Sequence, residues 1–406
     1  MDIAIAGAGP AGLAAALFLD RAGHRVTVFE RFETAQPLGS GLILQPTGLT
    51  VLAALGLLDA IVPRGSRIDR LHGSDARSGR TVLDVRYAAW RGGRFGLSVH
   101  RAALFDVLFD AVRAADIGVE TGTEIEALDH AGDRPRIVTA TGRMLGPFDL
   151  VVDASGARSK LKRHVRWPCE PRPLAYGAFW ASLGWRADGF DPHALVQRYD
   201  KASVMIGVLP IGRPRPDGEA QAAFFWSLKP AQAAAVRAAG LEAWKDRVER
   251  LWPETRAYLD QISDFDQLTL ARYAHHTLKL PAGRGLAVIG DAAHSTSPQL
   301  GQGANMALLD AAALAQALAA APDLTAALEA YCAMRRWHVR AFQALSAAFT
   351  PFYQSDSTAM PFVRDRLVAT VARVPPVPQI LASMVAGTLL SPFRPIGLRE
   401  VDWRAT

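Results

Sequence analysis

Short apolar runs and stretches with helical spacing alternate along the chain, and two places combine them in the same order. Asp2 to Ala6 is typical of a strand, and Leu13 to Asp20 continues as an amphipathic helix before a second strand at Val26 to Phe29. Val288 to Leu314 again joins a short apolar run, a glycine-bearing loop and an apolar stretch with helical spacing. Both patterns predict a strand, a turn and a helix, which alternate in α/β folds.

The middle of the chain differs, because strand-like runs rich in aromatic side chains extend from about Arg172 to Ala271. They include Tyr176, Phe179, Trp180, Trp185, Val204 to Leu209, and Phe224 to Trp226. Each aromatic residue taken alone is more simply explained as core. Together they favour one large sheet covering a pocket for an apolar or aromatic small molecule. Leu71 to Tyr87 predicts an inserted hairpin, and Ala231 to Leu251 predicts a helix.

The tail from Ala326 has helical spacing and is interrupted by prolines at Pro351, Pro361 and Pro375 to Pro378. Its large side chains are expected to pack inward, and they are Leu328, Tyr331, Trp337 and Phe342.

Composition sets the broad class. The 406 residues include 45 Lys and Arg against 39 Asp and Glu, a net charge of +6. The charges are dispersed, so neither nucleic acid nor a polybasic membrane contact is expected. Cys169 and Cys332 stand apart without metal-ligand spacing, so neither a disulfide framework nor a metal site is expected. No targeting or membrane-spanning pattern is seen, and Ala311 to Ala321 is interpreted as a buried helix. A cytoplasmic setting follows as the default.

The first glycine motif has the spacing of a dinucleotide site. Gly7 suits the tight turn, Gly9 the approach of a pyrophosphate, and Gly12 close helix packing. Glu30 ends the second strand, where an acidic residue can accept ribose hydroxyls. A purely structural glycine turn is the alternative. The loop from Gln36 to Pro46, which contains Gly41, is expected to cover the dinucleotide.

Further along the chain, Arg101 lies at the start of a predicted helix, Ala102 to Ala115. Its side chain is interpreted either as solvated or as a contact to the cofactor. The loop through Pro298, Gly301 and Gly303 precedes a helix start, whose free N–H groups stabilise negative charge. A tight turn without a ligand is the alternative interpretation.

The residues resemble the flavoprotein monooxygenases of the para-hydroxybenzoate hydroxylase type, the single-component aromatic hydroxylases, over roughly residues 1 to 345. Three motifs carry the resemblance: the glycine motif with Glu30, the segment Val152 to Ser159, and Gly290-Asp291 followed by the loop from Pro298 to Asn305. The resemblance implies that the first binds the ADP part of FAD and that Asp291 contacts its ribityl and phosphate region. Arg101, with Leu104 and Leu108, matches the family's FAD-contacting arginine.

The candidate cofactor-binding residues are therefore Gly7, Ala8, Gly9, Pro10, Ala11, Gly12, Glu30, Arg31, Gly41, Arg101, Asp291, Pro298, Gly301, Gln302, Gly303, Ala304 and Asn305. No catalytic acid or base is assigned. His275, His276, Tyr199 and Arg198 are unranked candidates, and of the two adjacent histidines at most one faces a pocket if they lie on a strand.

One departure concerns the second motif. The family usually has aspartate immediately before its glycine, where this chain has Ser155, with Asp153 two residues earlier. The usual aspartate is implicated in nicotinamide and flavin contacts, so the reductant site is left open. Reductases and halogenases of the wider superfamily have a similar Asp-Ala-Ser-Gly sequence at this motif, but the halogenase motif W-x-W-x-I-P is missing from this chain.

The resemblance implies FAD reduction by NADPH or NADH, formation of a flavin C4a-hydroperoxide from O2, and hydroxylation of an electron-rich aromatic molecule. A single dinucleotide fingerprint implies that the nicotinamide cofactor binds transiently. The alternatives are an FAD-linked reductase or dehydrogenase, a halogenase-like relative, and a non-catalytic flavin-binding protein.

The expected fold class is α/β, with a Rossmann-like FAD-binding domain, an interleaved sheet-rich substrate domain and a C-terminal helical region. The predicted FAD-binding domain comprises residues 1–71, 97–171 and 277–345. Residues 72–96 and 172–276 form the predicted substrate domain, and 346–406 the helical tail. The expected partners are a small aromatic substrate and O2, and a homodimer is considered.

Overall fold

The computed structural model describes residues 1–34, 40–90 and 92–404. The part of the predicted covering loop between Gln36 and Gly39 lies outside the described residues. The strands are β1 (Asp2–Ala6), β2 (Arg25–Phe29), β3 (Gly41–Leu44), β4 (Ser66–Ile68), β5 (Arg70–Asp75), β6 (Thr81–Arg86), β7 (Gly96–His100), β8 (Gly118–Glu120), β9 (Ile125–Asp129), β10 (Arg136–Thr139), β11 (Met144–Leu145), β12 (Leu150–Asp153), β13 (Arg172–Pro173), β14 (Gly177–Gly184), β15 (Ala194–Asp200), β16 (Val204–Pro210), β17 (Gln221–Leu228), β18 (Thr269–Ala271), β19 (Ala274–Thr277), β20 (Ala282–Gly283), β21 (Leu286–Val288) and β22 (His294–Ser295).

The α-helices are α1 (Pro10–Arg21), α2 (Pro46–Ala54), α3 (Leu58–Ile61), α4 (Arg101–Ala114), α5 (Ala233–Ala238), α6 (Leu241–Leu251), α7 (Arg256–Leu259), α8 (Gly303–Ala320), α9 (Leu324–Tyr353), α10 (Ala359–Val363), α11 (Ala369–Val371) and α12 (Val377–Val385). Short 3₁₀ turns lie between them, including Gly290–Ala292 and Pro298–Leu300.

A six-stranded sheet in the order β20-β21-β12-β1-β2-β8 forms the first layer, and its strands from β21 to β8 pair in parallel. Alternate residues of β1 face opposite sides, as strand geometry requires. Ile3 and Ile5 pack in one core cluster with residues of α1, α4 and α8, whereas Ala4 and Ala6 pack in another with residues of β9 and β10. The predicted α/β class is confirmed.

A seven-stranded sheet in the order β18-β14-β17-β16-β15-β5-β6 forms the second large layer. All its pairings are antiparallel except the parallel pair of β15 and β5. One face carries Phe179, Phe224 and Trp226, which pack in a core with Trp244 of α6. The other face is turned toward the C-terminal helices, since Tyr199, Met205 and Phe225 cluster with Tyr353. The predicted sheet and hairpin are both present.

Three expectations about helices are wrong. The helix predicted over Ala231 to Leu251 is divided at Gly240, whose φ of +96° is incompatible with a continuous helix. Pro351 lies in the last turn of α9 without interrupting it. Trp337 is 67% exposed, because the inward face of α9 passes through Tyr331, Arg335, His338 and Phe342 instead.

Helix α8 is long and apolar enough to cross a membrane, but 67% of that window is buried within the protein. The predicted domain boundaries remain a proposal, and α9 runs through the one at residue 345.

Candidate active site

The three sequence motifs meet at one edge of the six-stranded sheet. Ala6, Asp153 and Val288 lie side by side at the carboxyl ends of β1, β12 and β21. Glu30 follows β2, whose last residue pairs with Ala6. In open α/β sheets ligands bind at this edge. Segments almost three hundred residues apart therefore share one edge.

The glycines of the first motif have three different surroundings. Gly7 has a φ of +105°, and a Cβ there would lie 2.6 Å from the Ala154 carbonyl oxygen. A Cβ on Gly12 would lie 1.9 Å from the Gly7 carbonyl oxygen. A Cβ on Gly9, in contrast, would meet no atom within 4 Å. The turn thus needs Gly7 and Gly12 for its own packing, while Gly9 leaves an open approach at the start of α1.

Glu30 lies over this turn. Its carboxylate accepts hydrogen bonds from the backbone N–H of Ala8 at 2.6 Å and of Arg31 at 2.8 Å. Oε1 also accepts the Phe32 N–H at 3.3 Å, whereas Oε2, which accepts the Ala8 N–H, has further acceptor capacity. The side chain is therefore held at the end of β2, at the position expected for a ribose contact, and the Arg31 side chain is exposed beside it.

Asp153 stabilises the second motif from inside. It is fully buried, and it accepts hydrogen bonds from the Ser155 hydroxyl at 2.6 Å and from the Ser159 hydroxyl. Burial raises the pKa of Asp153. Ser155, which departs from the family pattern, therefore helps to close this turn.

Gly290 brings the first and third motifs together. A Cβ there would lie 3.0 Å from the Ala11 Cβ in α1 and 3.3 Å from the Ala307 Cβ in α8. The neighbouring Asp291 is exposed to the cavity described below, with Oδ1 3.8 Å from the Cβ position of Gly303. Its carboxylate therefore lies beside the start of α8.

A buried charged network fixes Gly290 in place. Asp310 accepts the Gly290 N–H at 2.8 Å, and it contacts His294 Nε2 and Arg335 Nε at 2.6 Å each. Burial alone would raise the pKa of Asp310, but the His294 and Arg335 side chains outweigh that effect and lower it. The network extends to His338, whose Nε2 lies 2.8 Å from the Gly387 carbonyl oxygen.

Sequence reasoning missed Asp310, Arg335 and His338. One signal was available, since Asp310 is the only charged residue between Asn305 and Ala321. A lone carboxylate within an apolar helix must be either paired or neutralised when buried.

The loop before α8 is braced mainly by Asn305. Its fully buried amide accepts the Gln45 N–H at 2.7 Å and donates to the carbonyls of Ile43 and Gly301 at 3.0 and 2.9 Å. That Asn305 belongs to the cofactor site stays a prediction, and its side chain is already engaged in holding the loop. Its backbone N–H lies in the first turn of α8 and has no partner within the helix.

A cavity of about 410 Å³ connects this loop with the seven-stranded sheet. Eight predicted cofactor residues line it, namely Gly41, Arg101, Asp291, Pro298, Gly301, Gln302, Gly303 and Ala304. The first-motif residues and Glu30 are not among its lining residues. The predicted site therefore comprises two parts, joined where Gly290 lies between α1 and α8.

One row of paired residues crosses all seven strands of the second sheet beneath the cavity, and all but its two glycines line the cavity; it is called the floor row. In order the row is Thr269, Trp180, Phe225, Gly207, Gln197, Gly73 and Leu83. A Cβ on Gly207 would lie 2.0 Å from the Phe225 ring, and one on Gly73 would lie 2.5 Å from the Tyr199 ring. The two glycines therefore let these aromatic rings lie over the neighbouring strands.

The four unranked acid or base candidates have different positions. His276 is buried, and its ring nitrogens contact Ser295 Oγ at 2.7 Å and the Ala292 carbonyl oxygen at 3.0 Å. Neither His276 nor His275 is among the lining residues. Arg198 donates to Ser74 and also does not line the cavity. Only Tyr199 does, and burial raises its pKa well above the ordinary value, so it stays protonated.

The residues present fit a flavin dinucleotide. Gly9 leaves room at a helix start for a pyrophosphate, and α8 directs a second helix start toward the cavity. Gln299 Nε2 and Gln302 Oε1 are buried in the loop between these parts without a hydrogen-bond partner among the described residues. Unpaired buried polar atoms are costly, so their presence at the cavity favours a polar ligand there.

Comparisons with known proteins agree with this geometry. The model of the FAD binding domain family matches residues 1–346. The 2-heptyl-3-hydroxy-4(1H)-quinolone synthase of Pseudomonas aeruginosa is 28% identical over 335 residues, covering 79% of this chain and 82% of that protein. The 3-amino-4-hydroxybenzoate 2-monooxygenase of Streptomyces cremeus is 30% identical over 334 residues, covering 79% of each.

Among solved structures, the tetrameric form of 2-methyl-3-hydroxypyridine-5-carboxylic acid oxygenase superposes with a TM-score of 0.79 at 22% identity. The match covers 99% of this chain and 98% of that one. The shared fold thus extends through the C-terminal helices. The chain belongs to the FAD binding domain family, and its relatives are FAD-dependent aromatic monooxygenases.

Proposed function

We propose that the protein is an FAD-dependent monooxygenase that hydroxylates a small aromatic molecule, with O2 as oxidant and NADH or NADPH as reductant. One observation carries this proposal. A continuous cavity joins the loop before α8, where a flavin ring is expected, to a floor containing Trp180, Phe225 and Gln197. An aromatic molecule on this floor would be close to a flavin ring at the loop.

The chain's own residues supply binding and electrostatics. The open turn at Gly9 and the carboxylate of Glu30 would hold the nucleotide part of FAD, and Asp291 and Arg101 would contact the part that enters the cavity. The free N–H groups at the start of α8 would stabilise negative charge on the flavin ring. FAD, once reduced, supplies the activation of O2 for insertion of one oxygen atom into the substrate.

The cavity walls are mostly apolar beyond the cofactor loop. Leu209, Phe349 and Met384 are among the apolar side chains that line the cavity. A water-poor site strengthens the electrostatic contacts within it and protects reactive species from hydrolysis. The nicotinamide nucleotide is proposed to bind transiently, because one dinucleotide fingerprint is present in the sequence.

The decisive experiment uses the protein loaded with FAD. Candidate phenols are added with NADH or NADPH, and three quantities are followed: nucleotide oxidation, O2 uptake, and incorporation of ¹⁸O from ¹⁸O2 into product. Hydroxylation predicts one labelled oxygen atom per product molecule. Stimulated nucleotide oxidation without label in any product would instead identify a reductase or dehydrogenase. A protein that gains no visible flavin absorbance with FAD would contradict both.

The homodimer and the cytoplasmic location considered from the sequence also stay proposals. Light scattering during size-exclusion chromatography of the FAD-loaded protein tests the first, and fractionation of the source cells tests the second.

A further inference from the structure

The charged groups of the cavity are confined to its cofactor end. Among the lining residues that the structure describes, only Arg101 and Asp291 carry a formal charge. Both side chains are exposed, Arg101 at the first residue of α4 and Asp291 beside Gly303. A substrate carboxylate deeper in the cavity would therefore lie without a cationic partner, and an unpaired buried charge is strongly unfavourable.

Another part of the cavity is an apolar compartment with three walls. The hairpin β5–β6 contributes Leu71, Leu83 and Val85, and β15 contributes Leu195. Helix α12 closes the compartment with Leu381, Met384 and Val385. Most of these side chains belong to one hydrophobic cluster.

Several of these side chains are incompletely buried although they line the interior. Leu71, Leu83, Leu195 and Leu381 are all only partly buried, and each lines the cavity. Apolar surface that remains accessible in this way gains stability when an apolar ligand covers it. The compartment therefore suits a hydrocarbon group that extends beyond an aromatic ring.

Two uncharged polar side chains, Gln197 and Tyr273, also line the cavity. Gln197 Nε2 contacts the Met205 sulfur at 3.3 Å, which is a weak acceptor, so its N–H groups can donate to a better one. The Tyr273 hydroxyl accepts from Trp180 Nε1 at 2.8 Å and retains its own proton to donate. Burial raises the pKa of Tyr273 to about 12, which keeps it neutral. Both groups suit a hydroxyl or keto oxygen.

We propose that the substrate is an uncharged aromatic molecule, a phenol or its keto tautomer, that carries an apolar substituent. Its ring lies on the floor row, its oxygen meets Gln197 or Tyr273, and its substituent occupies the compartment closed by α12. This inference rests on the proposed function only in taking the cavity as the substrate site.

Equilibrium binding to the FAD-loaded protein tests the substrate class without turnover. Phenol, 4-butylphenol, 4-heptylphenol and 4-hydroxybenzoate are titrated while the flavin absorbance or the heat of binding is measured. Affinity is expected to rise roughly fourfold for each added methylene until the compartment is full. 4-Hydroxybenzoate is expected to bind more weakly than phenol, by roughly tenfold or more, because its carboxylate would lie without a cationic partner. Equal or tighter binding of 4-hydroxybenzoate, or no gain with chain length, would overturn the proposal.

Two neighbouring residues of α12 provide a matched pair of variants. Leu381 lines the compartment, whereas Ile380 is 46% exposed on the outer side of the same helix. Leu381→Phe is expected to weaken 4-heptylphenol binding at least tenfold and to change phenol binding less than twofold. Ile380→Phe is expected to leave both unchanged. If Leu381→Phe retains flavin and binds 4-heptylphenol as the parent does, the substituent lies elsewhere and the proposal is wrong.

The ¹⁸O measurement separates this proposal from the proposed function. Tight binding of 4-heptylphenol without labelled product would support the substrate class and contradict the monooxygenase. Labelled product from 4-hydroxybenzoate, with weak binding of the alkylphenols, would support the monooxygenase and contradict the substrate class.

Discussion

At the scale of single residues, the first glycine motif separates the needs of the fold from those of the cofactor. Gly12 has no room for a side chain because the Gly7 carbonyl oxygen occupies that space, whereas Gly9 faces open space. The backbone at Gly9, with φ of −73° and ψ of 177°, is accessible to any residue. The effects of a side chain on folding stability and on FAD binding can therefore be tested separately at these two positions.

Gly9→Ala is expected to leave the unfolding free energy of the apoprotein within about 0.5 kcal/mol of the parent. It should weaken FAD binding by roughly tenfold or more, because the new methyl group fills the approach of the pyrophosphate. Gly12→Ala should destabilise the apoprotein by about 1–3 kcal/mol, since α1 must shift. Urea denaturation and FAD titration of both variants check this. If Gly9→Ala destabilises the apoprotein and Gly12→Ala does not, the assignment of Gly9 to cofactor binding and of Gly12 to folding is wrong.

Asp310 provides a pH-dependent test. Its pKa is lowered in the folded protein, so it adds stability above its unfolded pKa, and this contribution is lost as the pH falls through the folded pKa. Asp310→Asn should therefore lower the free energy of unfolding by about 3 kcal/mol at neutral pH, because Arg335 loses its buried partner. The difference from the parent should narrow below about pH 4, where the unfolded carboxyl is protonated.

Urea denaturation at several pH values measures that difference. The double variant Asp310→Asn with Arg335→Met is the control, because it removes both charges together. It should be more stable than the sum of the two single changes implies. If the difference in unfolding free energy between the parent and Asp310→Asn stays constant with pH, Asp310 is not ionised in the folded protein.

At the scale of elements, α12 forms the roof of the cavity, and the junction after it connects this roof to the loop before α8. Gln302 Nε2 donates to the Val385 carbonyl at 2.7 Å, and His338 contacts the Gly387 carbonyl. Burial lowers the pKa of His338 to about 3, so its ring is neutral. Gly387 has a φ of +78°, and a Cβ there would lie 2.5 Å from Thr47 Oγ1 and 3.0 Å from Gln302 Oε1.

Gly387→Ala is expected to destabilise the protein more than Gly23→Ala does. Both glycines follow a helix with nearly equal positive φ, +78° and +81°, and with the same pattern of backbone hydrogen bonds, but a Cβ on Gly23 would meet no atom within 4 Å, so Gly23→Ala is the control for backbone strain alone. The two-residue comparison therefore isolates the contacts at Gly387. The expected extra cost at Gly387 is about 1–2 kcal/mol, measured by urea denaturation. Gly387→Ala should also expose α12 to limited proteolysis. Equal effects of the two changes would mean that this junction is loosely packed.

The elements also show what sequence alone can reveal. The unit β1–α1–β2 follows from apolar spacing and glycines, because those signals are local. Trp337 was misplaced because polarity was taken as the guide to burial. The buried face of α9 carries Arg335 and His338, which are stable there only because Asp310 and Gly387 provide partners from distant segments. Pairing of this kind leaves no local pattern.

The candidate site shows the same limit. The three glycine and aspartate motifs were predicted, but only the family resemblance implied that they meet. The floor row could not be predicted, because Gly73, Gln197 and Gly207 become neighbours through strand register, which a single sequence does not encode locally. The roof residues of α12 gave no signal either.

At the scale of the whole molecule, FAD should act as a common partner for distant segments. The proposed cofactor site draws on the ends of β1, β2 and β21 and on the start of α8. A ligand that binds only the folded state stabilises it by about 2.7 kcal/mol at a concentration 100 times its Kd. Adding FAD at that excess should raise the melting midpoint of the parent measurably by calorimetry. The midpoint of Gly9→Ala should barely respond at the same concentration. An unchanged parent midpoint would contradict the proposed site.

The roof of the cavity has a consequence for how such enzymes diversify. Leu381, Met384 and Val385 lie beyond residue 346, where the family match ends, whereas the candidate cofactor residues all precede it. In the proposed site, substitutions at Leu381 would therefore alter which molecules are accepted, whereas substitutions beside Val385 would also disturb Gln302, whose side chain donates to the Val385 carbonyl. Natural selection could act on the two parts in sequence, and a directed-evolution library centred on Leu381 would sample new substrates while sparing the junction with the cofactor loop.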